Sequence, residues 1–300
     1  MQRPRHLHPI LATLCGIAVF SVMDAFMKRA AIHSGAFDAV LWRNAAGTAL
    51  GLPVWVVTGW RLGFRDFRPG WRQIRVHLAR SGVVAGMSVL FFWGLVRVPM
   101  AEAMALSFIA PLIALYLAAL FLGEPVTGRA LGASVLGLAG VGLIALARSG
   151  AAGDHHEAIL GVLAVLASAV AYAANLVLQR HQAQMSSPAE IAFFQSLCVL
   201  LFVLPAAPWW GGVPAAEELG WMVGAAALAL VSLMLLAWGY ARAEAHELLP
   251  LEYSGFFWAA LMGYWWFGEP LGWATLAGAA LIVAGCVIGT SSPPPEQTAL

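Results

Sequence analysis

Apolar residues run along this chain in stretches of about 17–25, punctuated by Pro, Gly and charge. Each stretch is long enough for a helix to cross roughly 30 Å of hydrocarbon. Only helices and closed barrels satisfy every backbone group in lipid, and barrel strands alternate apolar with polar residues. These stretches do not alternate. The pattern predicts an all-α membrane protein with ten transmembrane helices, at 10–31, 38–59, 79–96, 100–122, 129–147, 158–180, 189–210, 219–241, 247–267 and 271–289. The first stretch continues through Asp24 to Ala31 without a cleavage pattern and is read as an uncleaved span. Loops are short except 60–78, an Arg-rich segment with Trp60, Phe64 and Trp71 interleaved, which predicts an interfacial helix or loop on anionic headgroups. The tail from Ser291 has a disordered composition.

Composition agrees. The residues are 61% hydrophobic and 10% charged, too little charge to cover a soluble domain of this length. A net charge of +1 offers no basic field for nucleic acid. Cys15, Cys198 and Cys286 lie inside apolar stretches, odd in number, with no spacing for a disulfide framework or a metal. A cytoplasmic N-terminus puts eleven of the sixteen Lys and Arg residues inside and four outside, with Arg43 within a span. The positive-inside rule then predicts a multi-pass protein of the cell (inner) membrane with both termini cytoplasmic.

Two segments, 10–147 and 158–289, resemble each other. Trp93-Gly94 recurs as Trp238-Gly239, Arg97 as Arg242, Glu102 as Glu247, Gly123-Glu124-Pro125 as Gly268-Glu269-Pro270, and Gly140 as Gly285, always 145 residues apart. Earlier in each segment Asp24…Arg29 aligns with Asn175…Arg180, and Arg43 with Gln195. Five spans per repeat is an odd number, so the second copy enters the membrane from the opposite side. The result is two inverted five-helix repeats, the architecture of alternating-access carriers with a site near the midplane.

Ten spans, the duplication and the Gly-Glu-Pro that closes the fourth helix of each half resemble the drug/metabolite transporter superfamily, and its EamA-domain branch in particular. Leu251-Glu252-Tyr253, followed by Trp258 and the second Gly-Glu-Pro, is similar to the family's ninth-helix pattern, and Arg43 to an Arg early in its second helix. The resemblance covers residues 10–289. It implies a secondary transporter without a cofactor, moving amino acids, nucleoside-like compounds or other metabolites. It also implies a hinge or broken helix at Pro111. Gln195 departs from the pattern, standing where the second half would repeat Arg43, so the two halves offer chemically different walls.

An ionisable group at the bilayer centre costs roughly 2.5–3.5 kcal/mol on insertion scales, so each needs a partner, a wet cavity or a function. Asp24 and Arg43 reach similar depths, and form either a charged wall for a zwitterion or a structural ion pair. Asn175 and Gln195 are substrate contacts or helix glue. Glu252, beside Pro250 (which frees a carbonyl and bends the helix), is the first candidate for proton coupling, and Asp24 the second. Trp42, Tyr253 and Trp258 could stack on a planar substrate or serve as core and belt. Lys28 either competes for Asp24 or snorkels to the interface. Glu102 and Glu247 open their helices within reach of Arg97 and Arg242, and the two Glu-Pro pairs read as stop-start punctuation. Runs spaced as GxxxG (Gly82…Gly86, Gly128…Gly132, Gly285…Gly289) tighten contacts inside the bundle or across a homodimer. His155-His156-Glu157 lacks further metal ligands.

These residues suit a carrier for an amino acid or amino-acid-bearing compound. The alternatives are uptake of a cofactor or vitamin with a planar ring (nucleoside-like or flavin-like), or a channel. An intramembrane enzyme would need a clustered catalytic set, whereas the polar residues here are single and divided between the halves. The expected partners are a small-molecule substrate, a coupling proton and membrane lipid.

Overall fold

Helices in lipid are apolar on every side, so the surfaces that pack are marked by small residues that let backbones approach. The computed structural model describes residues 7–62, 69–122, 128–149, 155–183, 185–240, 242, 248 and 251–290. Glu124-Pro125, Glu247, Pro250, Arg65, Arg68 and the tail from Ser291 lie outside the described residues. Among the described residues the chain is helical, with no strand.

The helices are α1 (Leu7–Ser34), α2 (Ala36–Leu62), α3 (Trp71–Leu95), α4 (Met100–Ser107), α5 (Ala110–Leu122), α6 (Gly128–Ser149), α7 (His155–Ala183) and α8 (Pro188–Val203). After a 3-10 turn at Leu204–Ala206 come the short α9 (Ala207–Trp210), α10 (Ala216–Tyr240), α11 (Ser254–Phe267) and α12 (Trp273–Thr290). Among the described residues, five stretches are long and apolar enough to cross a membrane: His8–Ser34, Trp71–Leu95, His156–Leu176, Pro188–Trp210 and Ala216–Gly239. Met100–Ala114, Leu131–Ala147 and Trp273–Ile288 are shorter apolar helices. The protein is a helical membrane protein.

Two features of these helices bear on the site. First, α3 begins at Trp71, so residues 71–78 are part of this helix and not of a separate interfacial element. Gln73 at N3 reaches back to accept from the Gly70 N–H at 2.6 Å, and His77 and Arg80 are buried by partners on α7 and α8. Second, the fourth span is broken between α4 and α5. Pro111 has no N–H to offer the Ser107 carbonyl. Leu112 N–H bonds to Ile109 O at 3.0 Å, and the Phe108 carbonyl takes the Cys286 thiol of α12 at 2.8 Å. The ninth span carries a matching irregularity at Tyr253, 145 residues after Phe108: Glu252 is helical, Tyr253 is a turn, and α11 starts at Ser254. The rings of Phe108 and Tyr253 meet edge to face at 5.2 Å.

Contacts between the halves come in matched pairs. α3 packs on α7 and α10 on α1. A Cβ on Gly94 would lie 2.7 Å from the Gly161 carbonyl and from Val165, while one on Gly239 would strike Thr13 Oγ1 and lie 3.2 Å from the Pro9 carbonyl. Ser168 donates to Met87 O at 3.0 Å, and Ser232 to Gly16 O at 2.8 Å. Each pair maps onto the other by 145 residues on one helix and 152 on its partner. The 152 keeps Arg43 level with Gln195 but sets Asp24 against Leu176, which corrects the Asp24–Asn175 alignment by one residue.

α6 and α12 close the set: a Cβ on Gly140 would lie 2.5 Å from Gly278 O, and one on Gly285 2.6 Å from Ala133 O. Gly285 is thus consumed inside the chain, while Gly86, Gly128 and Gly132 face open space. Gly285→Val should remove most of the monodisperse protein seen by size exclusion in detergent, because the clash is with backbone. Gly86→Ala should leave the profile unchanged.

Candidate functional site

Asp24 is 2% exposed on α1, and Arg43 stands on α2 within electrostatic reach of it. Asp24 Oδ2 and Arg43 Nε nonetheless make no hydrogen bond; Arg43 Nη2 lies 3.4 Å from Asn44 Oδ1. Asn44 is itself pinned to the Val40 carbonyl at 2.7 Å. Ser21 Oγ on α1, Gln195 Oε1 on α8 and Ser254 Oγ at the start of α11 are likewise buried without a hydrogen-bond partner. Leaving one such group orphaned costs about 1–3 kcal/mol. The bundle thus holds an acidic acceptor, a cationic donor and neutral polar groups with unused hydrogen-bonding capacity, on helices from both halves.

The other sequence candidates divide. Glu252 is partly buried, and Tyr172 of α7 lies within electrostatic reach of both Glu252 and Arg80. Tyr253 packs on Phe108 at the irregular turn. Asn175 is committed: its Oδ1 accepts from Arg80 Nε at 2.8 Å. Trp42 donates to the Gly212 carbonyl at 2.9 Å, in the α9–α10 connection, and Trp258 meets its neighbour Phe257 edge to face at 5.2 Å. Neither joins the Asp24–Arg43 group through a described interaction. Pro111 sits at the break already described, and Pro250 lies outside the described residues.

Two further clusters escaped the sequence reading. At the end of the bundle where α1 begins, α3, α7 and α8 share a buried network. Arg80 Nη1 donates to Gln182 Oε1, and Nη2 lies 3.4 Å from Gln179 Oε1. Gln182 Nε2 lies 2.6 Å from His77 Nδ1. His77 Nε2 lies 2.9 Å from Glu190 Oε1, which also accepts from Ser186 Oγ at 2.7 Å. Glu190 is N3 of α8, and its N–H is capped by Ser187 Oγ at 3.3 Å. The signal was present: Gln73, His77 and Arg80 on α3, and Asn175, Gln179 and Gln182 on α7, repeat at helical spacing.

At the opposite end Lys28, 4% exposed, neither pairs with Asp24 nor snorkels. It pairs with Glu269 and donates to the Val98 carbonyl at 2.8 Å. Glu269 Oε2 also accepts from Met100 N–H at 2.8 Å, capping α4. Gly268, with φ +61°, ends α11 as the punctuation reading expects, but the carboxylate beside it ties α1, α4 and α11 together. Arg97 turns to Glu157 at 2.6 Å, and Glu102 accepts from Thr275 at 3.1 Å. Among the described residues no group of three His, Cys, Asp or Glu could hold a metal ion.

A model described as the EamA-like transporter family matches residues 7–146 and again 159–290. A Helicobacter pylori protein named an uncharacterized transporter is 28% identical over 278 residues, covering 91% of this chain and 90% of that protein. The pseudopaline exporter CntI of Pseudomonas aeruginosa is 26% identical over 291 residues, 93% of this chain and 94% of its own. A probable terminal-alkyne amino-acid exporter of Streptantibioticus cattleyicolor is 28% identical over 243 residues, 76% of each chain. A solved crystal structure, 23% identical, shares the fold with a TM-score of 0.63 over 94% of this chain and 96% of its own.

Proposed function

This chain belongs to the EamA-like transporter family, and from that premise we propose that it is an alternating-access secondary carrier of an amino acid or amino-acid-bearing metabolite, and not an enzyme. Its architecture in this reading is ten transmembrane helices in two inverted repeats, 10–147 and 158–289. The paired contacts at displacements of 145 and 152 residues support that reading, since they interchange the halves. The distribution of Lys and Arg supports placement in the inner membrane with both termini cytoplasmic. The His77 end then faces the cytoplasm and the Lys28–Glu269 end the outside.

One observation carries the cargo reading: a buried carboxylate and a buried guanidinium near each other, with hydrogen-bonding capacity unused. A zwitterion answers both, its ammonium at Asp24 and its carboxylate at Arg43. Ser21, Gln195 and Ser254 supply neutral contacts, with Glu252 and Tyr253 at the irregular turn. The name of the terminal-alkyne amino-acid exporter supports cargo that carries an amino-acid group, and the names of both exporters support export. Pro111 and Pro250 act as hinges, so that the break meeting at Phe108 and Tyr253 flexes as one end opens.

The test is thermal stabilisation of the purified protein by a panel of amino acids, each beside its decarboxylated amine and its N-acetyl derivative. The zwitterion should raise Tm and both derivatives should fail. Equal stabilisation by the amine alone would remove Arg43 from the site.

Glu252 is the coupling carboxylate in this reading. Glu252→Gln should flatten the pH dependence of transport in proteoliposomes, and a preserved pH profile would rule that role out.

A further inference from the structure

The network that ties α3 to α7 and α8 specifies a protonation state. Arginine has donors and no acceptor. Arg80 therefore holds Gln182 with its carbonyl oxygen toward the guanidinium. The amide N–H of Gln182 is left pointing at His77 Nδ1, 2.6 Å away, so that ring nitrogen must accept. The imidazole proton then sits on Nε2 and is donated to Glu190 at 2.9 Å. A charged side chain two residues removed in the network thus selects the neutral Nε2–H tautomer of a fully buried histidine.

A second proton would sit on Nδ1 and face the Gln182 amide, donor against donor. Turning Gln182 over would accept it, but would then aim the amide N–H at Arg80. One of the two bonds is lost either way. We infer that His77 is a proton-binding site separate from the central charged group, and that taking a proton there releases Arg80 from Gln182 and loosens α3 from α7 at this end of the bundle.

The neighbours are consistent with this role. Glu190, from α8, accepts from the ring in both states and retains the imidazolium as an ion pair, so the disruption falls on Gln182 and Arg80. α7 contributes Gln182, and Gln179 beside Arg80; Ser186 lies 3.5 Å from Nε2 in the α7–α8 connection. α2 contributes an aromatic face, Trp55 packing on Phe194, whose ring stacks on His77 at 4.9 Å. Arg80 on α3 is linked to the ring through Gln182, with Tyr172 and then Glu252 behind it. Histidine is the side chain whose ordinary titration falls between pH 5 and 8, which sets the pH range of the test.

His77→Gln separates this role from a structural one. Glutamine can accept from Gln182 with its oxygen and donate to Glu190 with its amide, reproducing the neutral tautomer without its titration. Spin labels on Arg72 of α3 and Val170 of α7, both exposed, report the separation by electron–electron double resonance in nanodiscs, with Cys15 replaced and the two buried cysteines kept. The unsubstituted network should shift to a longer modal distance between pH 8 and pH 5.5. The His77→Gln protein should match it at pH 8 and stay there at pH 5.5. Nitrogen-15 spectra of labelled histidine, assigned by loss of the signal in His77→Gln, should show Nδ1 unprotonated at pH 8. An equal acid shift in His77→Gln, no shift in the parent, or a protonated Nδ1 at pH 8 would each overturn the inference.

Discussion

Asp24→Asn should lower the initial rate of transport at least about tenfold, corresponding to roughly 1.4 kcal/mol in the rate-limiting barrier, while leaving membrane insertion and yield unchanged. Asparagine has the shape of aspartate and keeps one acceptor, so packing on α1 survives. What is lost is charge. Arg43 is left without the carboxylate nearest to it electrostatically, and an ammonium group loses its anion. Because Asp24 Oδ2 makes no hydrogen bond, its substitution breaks no bond there that holds the fold. A structural ion pair predicts the reverse, a drop in stability with transport lost only in proportion to folded protein. Unchanged saturable transport would retire Asp24 from the site.

The second large effect is on stability. Glu269→Gln should lower Tm by several degrees, from a loss of about 3–5 kcal/mol when one member of a buried ion pair is removed. The buried Lys28 ammonium then loses its ion pair with Glu269. Glutamine can still accept from Met100 N–H, so the loss reports charge and not the missing α4 cap. The pair Lys28→Met with Glu269→Gln should recover a good part of the lost stability, since the cation that lost its ion pair goes too. The measurement is a thermal unfolding series in one detergent. A Tm unmoved by Glu269→Gln, or a double variant no better than the single, would contradict the role assigned to this pair.

The chain states its membrane fold openly because runs of about 17–25 apolar residues have few other uses. The displacement of 145 residues was equally legible, since Gly-Glu-Pro and Trp-Gly are distinctive. The first helix was read one residue out of register because its apolar residues align as well at 151 as at 152. The start of α3 was missed because Arg72, Arg75 and His77 lower hydropathy, and the burial of His77 and Arg80 depends on α7 and α8. The irregularity at Tyr253 has no proline at its own position; Phe108 packs against it from the other half. Lys28 and Glu269 stand 241 residues apart, and no local pattern announces that they meet.

Asp24 and Arg43 were legible for a physical reason: a charge deep in an apolar run must be explained. Asn175 satisfied the same rule and found its explanation in Arg80. A charge that looked like flanking sequence proved to be the partner. The depth of a polar residue marks it for attention, and only its neighbours decide whether it is committed or available.

Counterflow tests the carrier reading most directly. Proteoliposomes preloaded with an amino acid or an amino-acid-bearing compound, and given a trace of the same labelled compound outside, report exchange without needing a gradient of any ion. The account predicts transient, saturable accumulation of label above equilibrium for at least one compound that bears both charges, lost in Asp24→Asn. Label that enters linearly with concentration and is not accelerated by internal substrate would show a channel. Vesicles holding folded protein that exchange none of these compounds would contradict the cargo assigned to Asp24 and Arg43.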